Sequence, residues 1–80
     1  MNDWLVYRWE KPLGAHTRFY EVRLEPDLWG QWVLVIVWGR LGSELGQVRR
    51  RPLPDYASGL RLLQQVGVRR RQRGYQAVPL

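Results

Sequence analysis

The sequence predicts an α+β fold, in which an antiparallel four- to five-stranded sheet is packed on one face by a single helix in the C-terminal half. Three observations lead to this prediction. Residues 32–38 are seven consecutive apolar residues, mostly β-branched or aromatic, as in a buried strand. Residues 19–24 alternate in polarity with period two, as a half-buried strand does. Residues 55–74 run from a helix-capping Asp to a Gly that can end a helix.

Length and composition indicate one small domain, residues 1–80, with 45% apolar content and five tryptophans. The chain has no cysteine, which is compatible with a reducing cytosol. The first residues lack a secretion signal, and no apolar run approaches the ~20 residues that cross a bilayer. We therefore expect a cytoplasmic protein with no membrane partner.

The first half of the chain predicts a meander of strands. Residues 4–9 form the first strand, whose core-facing side is either Trp4 and Val6 or Leu5, Tyr7 and Trp9. Residues 12–17 are predicted to be a loop. The second strand places Tyr20, Val22 and Leu24 on one face and returns through a turn at residues 26–30. Trp29 in that turn is either a surface anchor or, as we expect, folded back onto a core edge.

The third strand ends at Trp38-Gly39-Arg40. Gly39, Gly42 and Gly46 permit positive φ or the close approach of another backbone, so the turn can hold Trp38 and Arg40 side by side. An indole can stack on a sugar or base, and a guanidinium can bind a phosphate through two hydrogen bonds. The alternation also places Trp38 on the face of Leu34 and Ile36, which leaves a core role open. Either Leu34 and Ile36 or Val35 and Val37 face the helix.

The second half predicts a fourth strand, a helix and a last short strand at residues 75–78. Arg49 and Arg51 share one face of the fourth strand, either as a basic platform beside Trp38 or as a solvated outer face. The helix is capped by Asp55 and ends near Gly74. Its predicted apolar stripe consists of Tyr56, Leu60 and Leu63, flanked by Ala57 and Val66.

Charge is unevenly distributed along the chain. Residues 1–39 carry four basic and five acidic side chains, whereas residues 40–80 carry nine arginines and two acidic side chains. The net charge of +6 rests on twelve arginines and one lysine, and the planar fork of arginine suits phosphate. This pattern favours a polyanionic partner over a basic surface kept for solubility.

The ordered motifs resemble the WGR domain, a family found in poly(ADP-ribose) polymerases and as short bacterial proteins. They are Arg18-Phe19-Tyr20 in place of Lys-Phe-Tyr, Trp38-Gly39-Arg40-Leu41-Gly42, Gly46-Gln47, Ala57 at a helix start, and Gly74-Tyr75. The resemblance implies the same sheet and helix. It adds no enzymatic activity, because the catalytic domain of the polymerases has no counterpart here. Arginine in place of lysine, and Thr17 where many members have Asn, favour backbone binding over end-specific recognition.

The resemblance implies a nucleic-acid interface in which Trp38 stacks on a sugar or base near a DNA end or break and Arg40 contacts phosphate. The predicted interface residues are Trp38, Gly39, Arg40, Arg18, Arg49, Arg51, Arg69, Arg73 and Tyr75. The alternative is a protein-interaction domain that docks an acidic partner on the same basic face.

Catalytic patterns are not found in the sequence. There is no defensible Ser/His/Asp arrangement, no metal-ligand cluster and no phosphate-binding loop. The single histidine, His16, is expected to be solvated. We therefore expect no enzyme, no cofactor, no metal and no small-molecule substrate.

Overall fold

The computed structural model describes residues 4–43 and 46–79, which form five strands and one helix. In chain order these are β1 (Leu5–Leu13), β2 (His16–Pro26), β3 (Trp32–Arg40), β4 (Gln47–Pro52), α1 (Tyr56–Gln72) and β5 (Gln76–Val78). The strands form one sheet in the order β4-β3-β2-β1-β5, and neighbouring strands are antiparallel. The predicted α+β fold, with its helix in the C-terminal half, is confirmed.

The predicted loop at residues 12–17 is wrong, because β1 and β2 continue through most of it. Leu13 pairs with His16, so only Gly14 and Ala15 make the turn. Gly14 has φ of 60°, which suits a two-residue hairpin turn with glycine at its first position. β5 flanks β1 only at residues 8–10, so Pro12 lies where β1 is an edge strand and proline is tolerated.

The core lies between α1 and the sheet. Its buried residues are Trp9, Val22, Leu24, Leu34, Leu53 and Leu63. Leu5 and Ile36 pack against this cluster. Of the alternatives that the sequence left open, Leu5, Tyr7 and Trp9 thus share the helix-facing side of β1, and Leu34 and Ile36 face the helix from β3.

The strand β3 is buried on both faces. Leu34 is 1% exposed on the helix side, and Val35 is 0% exposed on the other side. Arg23 and Arg50 are the cross-strand neighbours of Val35 on that outer face. Long arginine stems cover apolar surface while their charged ends reach water, so an outer face without a second layer can still bury a valine.

The helix begins and ends as the sequence predicted. The side chain of Asp55 accepts a hydrogen bond of 2.8 Å from the Ser58 backbone N–H, which makes Asp55 the N-cap. At the other end Gly74 has φ of 87°, and the Tyr75 N–H donates to the Arg70 carbonyl at 2.9 Å. This is the Schellman arrangement, which satisfies the last carbonyls and turns the chain into β5.

The predicted apolar stripe of the helix is wrong at two positions. Leu60 is 41% exposed and Ala57 is exposed, whereas Gly59 is buried against the sheet. A Cβ at Gly59 would lie 2.5 Å from Leu24 Cδ1 and 2.9 Å from Leu53 Cδ1. The helix therefore packs closely on Leu24 and Leu53 at this glycine, while the neighbouring Leu60 is exposed.

The expectation that Trp29 folds back onto the core is also wrong, because its side chain is 85% exposed. The carboxylate of Asp27 accepts the backbone N–H groups of Trp29 and Gln31, each at 2.9 Å. These hydrogen bonds hold the loop between β2 and β3 in place. The loop therefore does not depend on aromatic packing for its conformation.

Candidate nucleic-acid interface

Trp38 lies near the end of β3, on the face of the sheet that α1 covers. Its cross-strand neighbour is Tyr20, and the two rings are stacked with centroids 6.2 Å apart and an interplanar angle of 27°. The indole is half-buried and lies outside the buried core cluster. One face of Trp38 is therefore supported by Tyr20 at the margin of the core.

The turn that follows Trp38 depends on its glycines. A Cβ at Gly39 would lie 3.1 Å from the Cα of Gly46, so the two backbones approach closely. Gly42 has φ of 83°, and the Ser43 N–H donates to the Arg40 carbonyl at 3.0 Å. The Leu41 N–H donates to the Thr17 carbonyl at 2.7 Å, which ties this turn to β2.

Arg40 and Arg18 are directly paired across β3 and β2, on the same face as Trp38. Both side chains are exposed. We call the space beside them the turn cavity, which measures about 470 Å³. Its lining residues are Leu13, His16, Arg18, Trp38, Gly39, Arg40, Ser43 and Gln47.

A second space, the aromatic cavity, adjoins the turn cavity at Leu13, Arg18 and Trp38. Its lining residues are Lys11, Leu13, Arg18, Tyr20, Trp38, Arg70, Arg73 and Tyr75. The Arg70 guanidinium lies 4.1 Å from the Tyr20 ring centroid and 5.1 Å from that of Tyr75. Lys11 Nζ donates to the Arg73 carbonyl at 2.7 Å. This cavity combines stacked aromatic rings with cations.

A third space, the helix–strand groove, lies between α1 and β4 and measures about 300 Å³. Its lining residues are Tyr20, Leu34, Ile36, Arg49, Arg51, Leu62, Gln65, Val66, Arg69 and Arg70. Arg49 and Arg51 pair with Ile36 and Leu34, so both lie on the helix-facing side of β4. The groove shares Tyr20 and Arg70 with the aromatic cavity, which makes the two spaces neighbours.

The structure divides the nine residues predicted from the sequence into two adjoining groups. Trp38, Gly39, Arg40, Arg18, Arg73 and Tyr75 line the turn and aromatic cavities, and Arg49, Arg51 and Arg69 line the helix–strand groove.

Among the lining residues that were not selected from the sequence are Lys11, Tyr20 and Arg70, which supply an aromatic ring and two cations to the aromatic cavity. Arg70 follows Val66 by four residues and so continues the sheet-facing side of α1. That spacing was the signal that could have separated Arg70 from the exposed arginines around it.

The two faces of the sheet differ in their acidic side chains. Eight cationic side chains line the three cavities, and none of the Asp and Glu residues within 4–43 and 46–79 does. On the outer face Arg8 forms ion pairs with Glu10 at 3.2 Å and Glu21 at 3.1 Å. The helix-facing side therefore carries a positive field that the described carboxylates do not neutralise at close range.

The comparison with protein families settles the relationship of this chain. The family model of the WGR domain matches residues 4–79. The chain belongs to the WGR domain family. WGR domains are binding modules and are known to bind nucleic acid in poly(ADP-ribose) polymerase-like proteins. No significant match was found among curated proteins or among solved structures.

In this WGR domain, Trp38 lines both the turn cavity and the aromatic cavity, together with Leu13 and Arg18. Within the part of the WGR domain that the structure describes, no group of three His, Cys, Asp or Glu side chains could hold a metal ion. In the same residues, no helix is long and apolar enough to cross a membrane.

Proposed function

We propose that this WGR domain, acting as one unit over residues 1–80, is a non-enzymatic DNA-binding module that grips the DNA backbone at an end or break. The observation that carries the proposal is that eight cations, and none of the described carboxylates, line the three adjoining cavities that contain the stacked Trp38 and Tyr20. Phosphate-rich backbone supplies the matching negative charge.

The chemistry of each group fits this role. Arg18 and Arg40 lie at paired positions of adjacent strands and are exposed, so both guanidiniums are accessible to phosphate oxygens. Trp38 lies on the same face, two residues before Arg40, and offers an aromatic surface for a sugar or an unstacked terminal base. A DNA end presents backbone phosphates and an unstacked base together, because its last base pair has one face without a stacking neighbour.

Exposed arginines also suit an acidic protein, so the test must separate the two partners. Fluorescence anisotropy of the purified protein with blunt, nicked and single-stranded DNA, over a series of salt concentrations, is the direct experiment. We expect log Kd against log salt to have a slope of about 0.9 per phosphate contact on duplex DNA, and tighter binding to DNA with ends than to closed circular DNA.

Affinity that does not change with salt would contradict backbone binding. Co-purification of one acidic protein after nuclease treatment, without DNA binding, would favour the alternative.

A further inference from the structure

The helix–strand groove has a construction that a flat duplex-binding surface does not need. Its apolar lining is formed by partly buried side chains, Ile36 from β3 and Leu62 and Val66 from α1. Arginines line it from both sides, Arg49 and Arg51 from the strand and Arg69 from the helix. The groove is therefore apolar below and cationic at its rims.

Single-stranded nucleic acid has the complementary construction. Its bases offer flat apolar faces and its backbone carries regularly spaced negative charge, whereas a duplex hides the base faces within its stack. A groove of about 300 Å³ in a molecule of 41 × 26 × 20 Å is too small to enclose a duplex. An acidic peptide would use the arginines but has no flat apolar faces for the base of the groove.

The position of the groove connects it to the cavities around Trp38. Tyr20 and Arg70 line both the groove and the aromatic cavity, so a strand bound in one leads into the other. At the opposite side the groove is bounded by β4, which is the edge strand of the sheet and exposed along its length. A strand can therefore leave the groove over the sheet edge.

We propose that the helix–strand groove binds a single-stranded DNA segment that continues from the duplex end held at Trp38. This inference rests on the proposed function and makes it more specific: the preferred ligand is a duplex with a single-stranded overhang. Arg49, Arg51 and Arg69 then bind the phosphates of the overhang, while its bases lie on the apolar base of the groove.

The test compares affinities for a blunt duplex and for duplexes with a 3′ or 5′ overhang of about six thymidines, a length within the range that small single-strand-binding folds cover. We expect one overhang duplex to bind about tenfold more tightly than the blunt duplex. The double variant Arg49→Gln/Arg51→Gln should reduce this ratio to about one. Its matched control is Arg50→Gln/Arg71→Gln, which removes the same charge from the opposite face of β4 and from a helix position outside the groove.

The outcomes separate this inference from the proposed function. An overhang-to-blunt ratio of about one in the unaltered protein, with blunt DNA still bound, overturns the groove proposal alone. Equal losses of affinity for the overhang duplex in the two double variants overturn it as well. Competition by polyglutamate as effective as that by oligothymidine assigns the groove to an acidic peptide instead. Failure to bind any DNA overturns both proposals.

Discussion

The Trp38 indole stacks on the Tyr20 ring with centroids 6.2 Å apart, and Tyr20 in turn lies beneath the Arg70 guanidinium at 4.1 Å. The three groups form a layer that joins β3, β2 and the last turn of α1. A side chain held in place before binding loses less entropy when a ligand arrives. This layer holds the half-buried Trp38 in place, which suits its proposed role as a platform for a nucleotide.

The close contact between α1 and the sheet at Gly59 predicts that Gly59→Ala destabilises the protein. Alanine favours a helix over glycine by about 1 kcal/mol, but its methyl group would collide with Leu24 and Leu53, which are 0% and 2% exposed. Overpacking costs about 1–3 kcal/mol, so after this gain we expect a net loss of up to about 2 kcal/mol in the free energy of unfolding. Urea denaturation measures it.

Gly67→Ala is the matched control in the same helix. A Cβ at Gly67 would lie 3.5 Å from Trp9 Cζ2, which is an ordinary contact distance. We expect this variant to be as stable as the unaltered protein or to gain up to about 1 kcal/mol. If both alanine variants were equally stabilised, the close approach at Gly59 would be wrong.

The burial of β3 on both faces predicts that Leu34→Asp and Val35→Asp each abolish cooperative unfolding. Either substitution places an unpaired carboxylate at a site that is 0–1% exposed. Burying an unpaired charge costs more free energy than a small domain can offset. Val48→Asp, on the neighbouring edge strand at 62% exposure, should unfold cooperatively. Circular dichroism melts distinguish the three, and a cooperative melt for Val35→Asp would show that the outer face is open.

The N-cap predicts a stability that depends on pH. Hydrogen bonds from the Ser58 side chain and backbone N–H hold the pKa of Asp55 below its ordinary value of 3.8. The carboxylate therefore contributes stability that is fully present above the unfolded pKa and is lost as pH falls through the folded pKa. Thermal melts of Asp55→Asn and of the unaltered protein, measured from about pH 6 to about pH 2, should show a difference in melting temperature. We expect this difference to disappear below pH 3.8. A constant difference would mean that the charge of Asp55 does not contribute.

Arg40 should contact phosphate without supporting the fold. Its side chain is exposed at the end of β3, so Arg40→Gln should leave the melting temperature unchanged. We expect it to weaken duplex binding and to lower the slope of log Kd against log salt by about 0.9. Arg50→Gln, on the outer face of β4, is the control and should change the slope less. Equal slopes for the two variants would remove Arg40 from the interface.

Much of the fold could be read from the sequence, because period-two alternation and a capped helix are local patterns. What the sequence could not supply was the depth of the contact between helix and sheet. A glycine in a helix interior is destabilising by itself, and only the positions of Leu24 and Leu53 show that Gly59 allows the helix to pack closely on them. Trp29 was misassigned for a related reason, since the hydrogen bonds of Asp27 replace the core contact that a loop tryptophan usually makes.

The site was predictable where its residues are close in sequence and not where they meet through topology. Trp38, Gly39 and Arg40 are consecutive, whereas Tyr20 and Arg70 join them from β2 and the end of α1. The absence of described carboxylates from the three cavities was likewise hidden. The sequence showed an excess of arginine in the second half, but the outward placement of Glu10 and Glu21 follows from strand register.

The measurement that tests the DNA-binding role most directly compares Trp38→Ala with Trp29→Ala in melting curves and DNA titrations. Both remove one indole, but Trp29 is 85% exposed in the loop before β3 while Trp38 lies at the far end of that strand. We expect both variants to fold, and Trp38→Ala alone to lose about 1–3 kcal/mol of DNA binding, the usual contribution of one stacking platform. A folded Trp38→Ala protein that binds DNA as tightly as Trp29→Ala would contradict the stacking role.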